Sequence, residues 1–342
     1  MRNQRTTTVI VTMCLALALA LAGCSSEPAA PQTPQFKTKL ATDEIRNSAF
    51  KAEFPLHYET YERNNESEIM TEYGGSVAYN KHDNVHPLPE GYKYAQPYLK
   101  NLWLGYPFSY EYRAARGHTY AMKDILNIDR INRYDEKAGL PATCMNCKTA
   151  KMNVFLKENG GDDFWAKNFN EFREKVTLDD DTIGCANCHE ANTMRLIVTN
   201  PALEAALNAQ GKDWKTFTRQ EMRTVVCANC HVEYSFQGTG KLLTYPWAKG
   251  TSIEKIEQFY DDLKFNDWTH KESGAGMIKI QHPEYELFTA NSTHYQAGVA
   301  ALDLLAEARA RHVRLVHLVA APEGIRCVRA KYPGLPIFTA AI

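Results

Sequence analysis

Three cysteine pairs constrain this 342-residue chain more than any other feature of its sequence. They read Cys144-Met-Asn-Cys147-Lys148, Cys185-Ala-Asn-Cys188-His189 and Cys227-Ala-Asn-Cys230-His231. Two thiols three residues apart, followed at once by an imidazole, form the pattern that tethers a c-type haem: the sulfurs bond covalently to the porphyrin and the histidine reaches the iron. A chain carrying three such groups has to fold around them. The first pair puts lysine where the others put histidine. An amine ligates iron only when deprotonated, against a reference pKa of about 10.4, so the metal itself must hold the proton off. A plain electron carrier gains nothing from that arrangement, whereas a haem that binds a substrate on its open face does.

Other uses of paired cysteines fit less well. Zinc ribbons place their pairs about 15–20 residues apart; here 37 and 38 residues separate successive pairs. Disulfides do not require a basic residue after each pair. A thioredoxin-like motif wants a βαβ setting, which the surrounding sequence lacks. The remaining cysteines are Cys14 and Cys24 near the start and Cys327 near the end.

The composition is that of a soluble protein, and 39 basic against 40 acidic residues leave a net charge of −1, with no electrostatic footprint for nucleic acid. Residues 1–24 read as a secretion signal: Arg2 and Arg5 precede an apolar run over residues 9–22, too short to span a bilayer comfortably. The run ends in Leu21-Ala-Gly-Cys24, which looks like a bacterial lipobox, so Cys24 is the expected site of a membrane-anchoring lipid. Residues 25–36, rich in proline and serine, read as an extended tether. The mature protein is therefore expected on the periplasmic side as a membrane-anchored lipoprotein.

From residue 37 to 299 the pattern is mainly helical with long irregular connections. Thr218-Arg-Gln-Glu221 is a capping box whose helix delivers Cys227. Thr251-Ser-Ile-Glu254 reads as another, followed by Ile253, Ile256, Phe259, Tyr260 and Leu263 on one face. Asn200-Pro201 opens a third helix. The many aromatic residues are expected to pack against porphyrin faces. Met145 and Met194 could ligate iron but read as packing residues. His57, His82, His86 and His270 read as surface or structural.

Residues 90–299 resemble the ammonia-forming, pentahaem cytochrome c nitrite reductases. The resemblance is carried by Leu104-Gly-Tyr-Pro-Phe108, Arg116-Gly-His118, the lysine-bearing pair, Cys227-Ala-Asn-Cys-His-Val-Glu-Tyr234 and Lys279-Ile-Gln-His-Pro-Glu-Tyr285. It implies six-electron reduction of nitrite to ammonium at the Lys148 haem, fed by the neighbouring His-ligated haems and by a quinol-linked or cytochrome donor. It implies Arg130, with Arg133 in reserve, as the guanidinium that meets the anion, and Tyr234 and His282 as hydrogen-bonding and proton-delivering groups. It further implies calcium beside that haem, held by Glu233, Gln281 and the carbonyls of Tyr234 and Lys279. His118 matches the distal ligand of the haem on Cys227 and Cys230, and His294 lies one residue from a distal ligand of the last haem. The alternative is a multihaem electron-transfer cytochrome without substrate turnover.

The grammar changes near Ala300. Where the resemblance calls for a fourth Cys-x-x-Cys-His, the chain reads Ala301-Leu-Asp-Leu-Leu-Ala-Glu-Ala-Arg-Ala310, a helix. Residues 313–319 and 335–342 then read as strands, giving a short α/β tail over residues 300–342. This tail resembles part of a uracil phosphoribosyltransferase, without that family's phosphate loop or uracil-binding end, and no transferase activity is inferred. The expectation is a chimeric reductase with three of five haems, no distal ligand for the haem on Cys185 and Cys188, and no homodimer contact.

Overall fold

The structure is a computed structural model that describes residues 36–68, 98–109, 116–132 and 139–303, together with the short segments 315–317 and 337–339. Cys14, Cys24, Cys327, His82, His86 and Arg133 lie outside the described residues, as do the leader and most of the tether.

The architecture is mainly helical, with short helices strung on irregular backbone. The longer α-helices are α1 (Asn47–Glu53), α2 (Pro55–Glu62), α3 (Ala121–Asn127), α4 (Met152–Glu158), α5 (Pro201–Ala209), α6 (Arg219–Val225), α7 (Ile253–Leu263) and α8 (Glu284–Asn291). Two small antiparallel ribbons join them, β1 (Ser235–Gln237) with β2 (Leu242–Thr244), and β3 (Trp268–Thr269) with β4 (Gly276–Met277). Among the described residues no helix is long and apolar enough to cross a membrane.

Local chemistry explains where the helices begin. Asn200 caps α5 by accepting from the Ala202 amide at 3.0 Å, and Pro201 occupies the first turn, where its missing N–H costs nothing. Thr218 and Glu221 close the expected capping box, and α6 runs straight into the turn that carries Cys227. The box expected at Thr251 does not form. Ser252 is the N-cap of α7, without a side-chain bond to the backbone, and only Ile256 and Tyr260 of its expected apolar face are buried; Ile253 and Leu263 are exposed. A helix with a narrow buried stripe needs no more than those two.

Phe155, Phe164, Trp165, Phe169 and Phe172 pack together within the main core, with Phe164 and Phe172 centroids 4.7 Å apart at 68°. Edge-to-face contact of this kind stabilises the part of the core that includes α4. Met145 is fully buried in the same core, as a packing residue. Beyond residue 303, β5 (Leu315–His317) pairs with β6 (Ile337–Thr339) in parallel, Leu315 opposite Ile337. Both strands fall inside the segments where alternation predicts them.

Candidate functional site

Each cysteine pair sits on a tight turn. Three-ten geometry covers Ala142–Met145, Cys185–Asn187 and Val226–Asn229, and at about three residues per turn it brings residues i and i+3 to one side. In the second and third pairs the turn is closed by Cys188 N to Cys185 O and Cys230 N to Cys227 O, each 3.1 Å. The following histidine amide returns to the same oxygen, His189 N at 2.8 Å and His231 N at 2.9 Å. In the first pair Lys148 N instead meets Met145 O at 2.9 Å, and its Nζ donates to Cys147 O at 3.2 Å. The six thiols are unbridged.

The three motifs converge. The Cys147 and Cys230 thiols are neighbours, and their mutual interaction draws Cys147 down and pushes Cys230 up. Burial raises Cys144 to about 11, opposed by the charges of Arg130 and Lys148. Arg130, expected from sequence, therefore lies in the field of the first pair. Its guanidinium stacks on the Phe108 ring, 4.5 Å from the centroid. Tyr234 belongs to the same group: burial raises its phenol far above the usual range, reinforced by Cys147 and Cys144, so the hydroxyl keeps its proton. Its ring lies 5.5 Å from that of His282 at 64°. His282 is held down to about 3, first by burial and then by the charges of Lys148 and Lys279, so its ring is neutral at ordinary pH. Cys144, Cys147, Lys148, Arg130, Tyr234 and His282 thus form one neighbourhood.

His118 faces His231 with ring centroids 6.3 Å apart. Two imidazoles sharing one metal stand about 6.2 Å apart, from about 2.0 Å metal to nitrogen and about 1.1 Å on to each ring centre. His282 lies equally far from His231, but these two turn their Nδ1 edges to one carboxylate, Glu284, at 3.7 and 3.9 Å. At the second pair, His189 Nδ1 and the Met194 carbonyl are 2.7 Å apart. That bond needs the proton on Nδ1 and leaves Nε2 as the ligating nitrogen. Met194 therefore contributes its backbone. The donor set fits three covalently attached haems.

The residues expected to hold a cation lie alongside. The Gln281 amide donates to Glu233 Oε2 at 2.7 Å, and Tyr260 to Glu233 Oε1 at 2.9 Å. Burial raises the Glu233 carboxyl to about 7. Lys279 Nζ donates to Gln281 Oε1 at 2.6 Å, and burial lowers that ammonium to about 8. Two hard oxygen donors are thus adjacent, one already engaged by the chain's own cation. His294 is exposed on the short helix Thr293–Gln296. His270 is held in a loop, with Nε2 2.8 Å from Asn101 O. His57 is exposed on α2.

Several participants escape a residue-by-residue reading. Tyr106 and Phe108 lie on the Leu104-Gly-Tyr-Pro-Phe108 segment, which packs on the β3–β4 ribbon through Tyr106 and Trp268, 4.6 Å apart. Gly105, at φ +95°, lets that segment approach the Thr269 carbonyl. Tyr106 lies beside the Gln281 side chain, and Lys279 Nζ lies 5.1 Å from the Phe108 centroid. Asn229 accepts from Thr199 N at 3.0 Å and Asn200 N at 3.1 Å, and Asn187 accepts from Gly184 N at 2.9 Å. The recurrence of asparagine before the second cysteine of all three pairs is the signal for it. Glu286, a buried residue in the first turn of α8, accepts from Glu233 N at 2.9 Å and Trp247 Nε1 at 2.7 Å.

Residues 47–304 match the cytochrome c552 family. The chain belongs to that family. It is 57% identical over 303 residues to the cytochrome c nitrite reductase subunit NrfA of Nitratidesulfovibrio vulgaris, covering 84% of this chain and 57% of that one. It is 38% identical over 269 residues to cytochrome c-552 of Parabacteroides distasonis, covering 78% of this chain and 51% of that one. Among solved structures, the catalytic subunit of cytochrome c nitrite reductase from Desulfovibrio desulfuricans superposes with a TM-score of 0.71 at 46% identity, covering 87% of this chain and 66% of that one. This cytochrome c552 chain thus spans between about half and two thirds of the length of these relatives. The proteins of this family are haem c proteins.

Proposed function

We propose that the chain reduces nitrite to ammonium at the haem held by Cys144, Cys147 and Lys148. The observation that carries this reading is the gathering of Arg130, Tyr234 and His282 about the one cysteine pair followed by lysine. The balance is NO2⁻ + 6e⁻ + 8H⁺ → NH4⁺ + 2H2O. A bound haem supplies the electrons and an open coordination position at iron. The chain's residues do the rest. Arg130, braced on Phe108, offers a fork of donors to a planar oxyanion. Tyr234, which stays protonated, donates a hydrogen bond to the substrate oxygens or to nitrogen intermediates. His282, neutral and in ring contact with Tyr234, relays protons in the same neighbourhood. The names of the relatives from Nitratidesulfovibrio and Desulfovibrio support the substrate.

His118 with His231, and His189 with a carbonyl-fixed tautomer, serve the two electron-relay haems. Glu233, Gln281 and the carbonyls of Tyr234 and Lys279 are our proposed calcium site, in which the ion competes with the Lys279 ammonium for Gln281 Oε1. In support, the Desulfovibrio structure is described by its two calcium sites. We read residues 300–342 as a separate α/β piece resembling a uracil phosphoribosyltransferase fragment, which replaces the family's fourth motif. The parallel β5–β6 pair and the end of the family match at residue 304 support that reading. We further propose periplasmic exposure through the leader and a lipid on Cys24. The haem-loaded chain, supplied with reduced dye, is expected to oxidise it on adding nitrite, with one ammonium per six electrons. Dye oxidation without ammonium would favour an electron-transfer cytochrome that does not complete turnover.

A further inference from the structure

We infer that Asn64 is a positioning residue for His118: its carboxamide grips the backbone on both sides of that histidine and holds the imidazole opposite His231. The inference rests on the reading of His118 as an iron ligand. Asn64 lies in the three-ten turn Arg63–Glu68 that follows α2, 54 positions before His118. Its Nδ2 donates to Arg116 O at 3.0 Å, and its Oδ1 accepts from Thr119 N and Thr119 Oγ1, both at 2.9 Å. Arg116 and Thr119 bracket Gly117 and His118, so one planar amide fixes the two-residue span that sets the imidazole's direction.

The surroundings make the grip rigid. Gly117 adopts φ +107°, which side-chain-bearing residues rarely adopt, and a Cβ there would overlap the Asn64 carboxamide. Thr182 Oγ1 donates to His118 O at 3.1 Å. Arg116 is buried and paired with Asp124, its Nε 3.0 Å from Oδ2, and its guanidinium lies 4.0 Å from the Tyr120 ring centre. The turn that carries Asn64 and the helix before it are both tied down: Tyr120 Oη donates to Asn65 O at 3.3 Å, and Tyr61 Oη, on α2, to Ile183 O at 2.6 Å. Asn64 thus links a segment anchored beside the second cysteine pair to the loop opposite the third. An iron–imidazole bond survives only if the ring waits in the right direction, and support of this kind is what outer residues give to ligands.

Carbon monoxide binding to the reduced, haem-loaded full chain tests this, because CO takes any iron position that an imidazole vacates. His118→Ala is expected to add one CO-binding haem per chain and to remove one bis-imidazole signal in electron paramagnetic resonance. Asn64→Ala is expected to move the same signal and to speed CO capture at that haem at least tenfold. Asn64→Asp, which keeps the acceptor and loses the donor, is expected to give a smaller change. Should Asn64→Ala fail to load haem, Thr119→Val removes only the hydroxyl contact and is expected to speed CO capture severalfold. If His118→Ala gains a CO site while the Asn64 and Thr119 variants keep the original stoichiometry, rate and signal, Asn64 is structural only and the inference fails. If His118→Ala gains no CO site, the ligand assignment fails first.

Discussion

At the scale of the residue, the proposed nitrite chemistry turns on which protonated donors face the anion. Arg130 is the most exacting, because a guanidinium presents two parallel donors that an ammonium cannot reproduce. Arg130→Ala is expected to lower nitrite turnover by about 10²–10³-fold, the range seen when one preorganised donor to a developing charge is removed. Arg130→Lys is expected to recover only part of that loss. Haem content should be the same in both, which separates a site defect from a maturation defect. Glu233 works differently, as a buried carboxylate whose partners include the Gln281 amide and the Tyr260 hydroxyl. If it holds calcium, Glu233→Ala or chelation is expected to lower turnover about tenfold, and added calcium should restore only the chelated, unmutated chain. Arg130, Tyr234 and His282 could be named from sequence order within a resemblance. Phe108 could not, because nothing in a linear sequence says that a ring stacks beneath a guanidinium 22 positions later.

At the scale of the element, short three-ten turns carry the function and buried amides lock them. Asn229 lies at the centre of one such lock: its Oδ1 takes two backbone amides, its Nδ2 donates to Val226 O at 3.0 Å, and its own carbonyl accepts from Asn200 Nδ2 at 2.6 Å and Tyr245 Oη at 2.9 Å. Asn229→Ala would strand the amides of Thr199 and Asn200, the latter in a buried residue. The expected cost is about 2–4 kcal/mol, since each unsatisfied buried group forfeits about 1–3 kcal/mol. Denaturant midpoints of the haem-loaded chain measure it, and Asn229→Asp, which keeps the acceptor, should lose less. The helix starts at Thr218 and Asn200 were legible because capping is local chemistry. The start of α7 and the extent of its buried face were not, because burial depends on what the rest of the chain brings against it.

At the scale of the whole molecule, the cysteine count sets the haem count. A pyridine haemochrome assay against protein concentration is expected to give three covalent haems per chain; a value above three would contradict the proposal that residues 300–342 replace the family's fourth motif. By itself the sequence determined the covalent chemistry: three attachment points, one with an amine in the ligand position, and local helix starts. These are properties of residues one to four positions apart, where bond geometry leaves few options. Tertiary structure alone decided what those points face. It brought Cys147 to Cys230 across 83 positions and His118 to His231 across 113, laid Phe108 under Arg130, and packed five aromatic rings together within the main core. Such meetings come from packing, which is summed over the whole chain and is written at no single position.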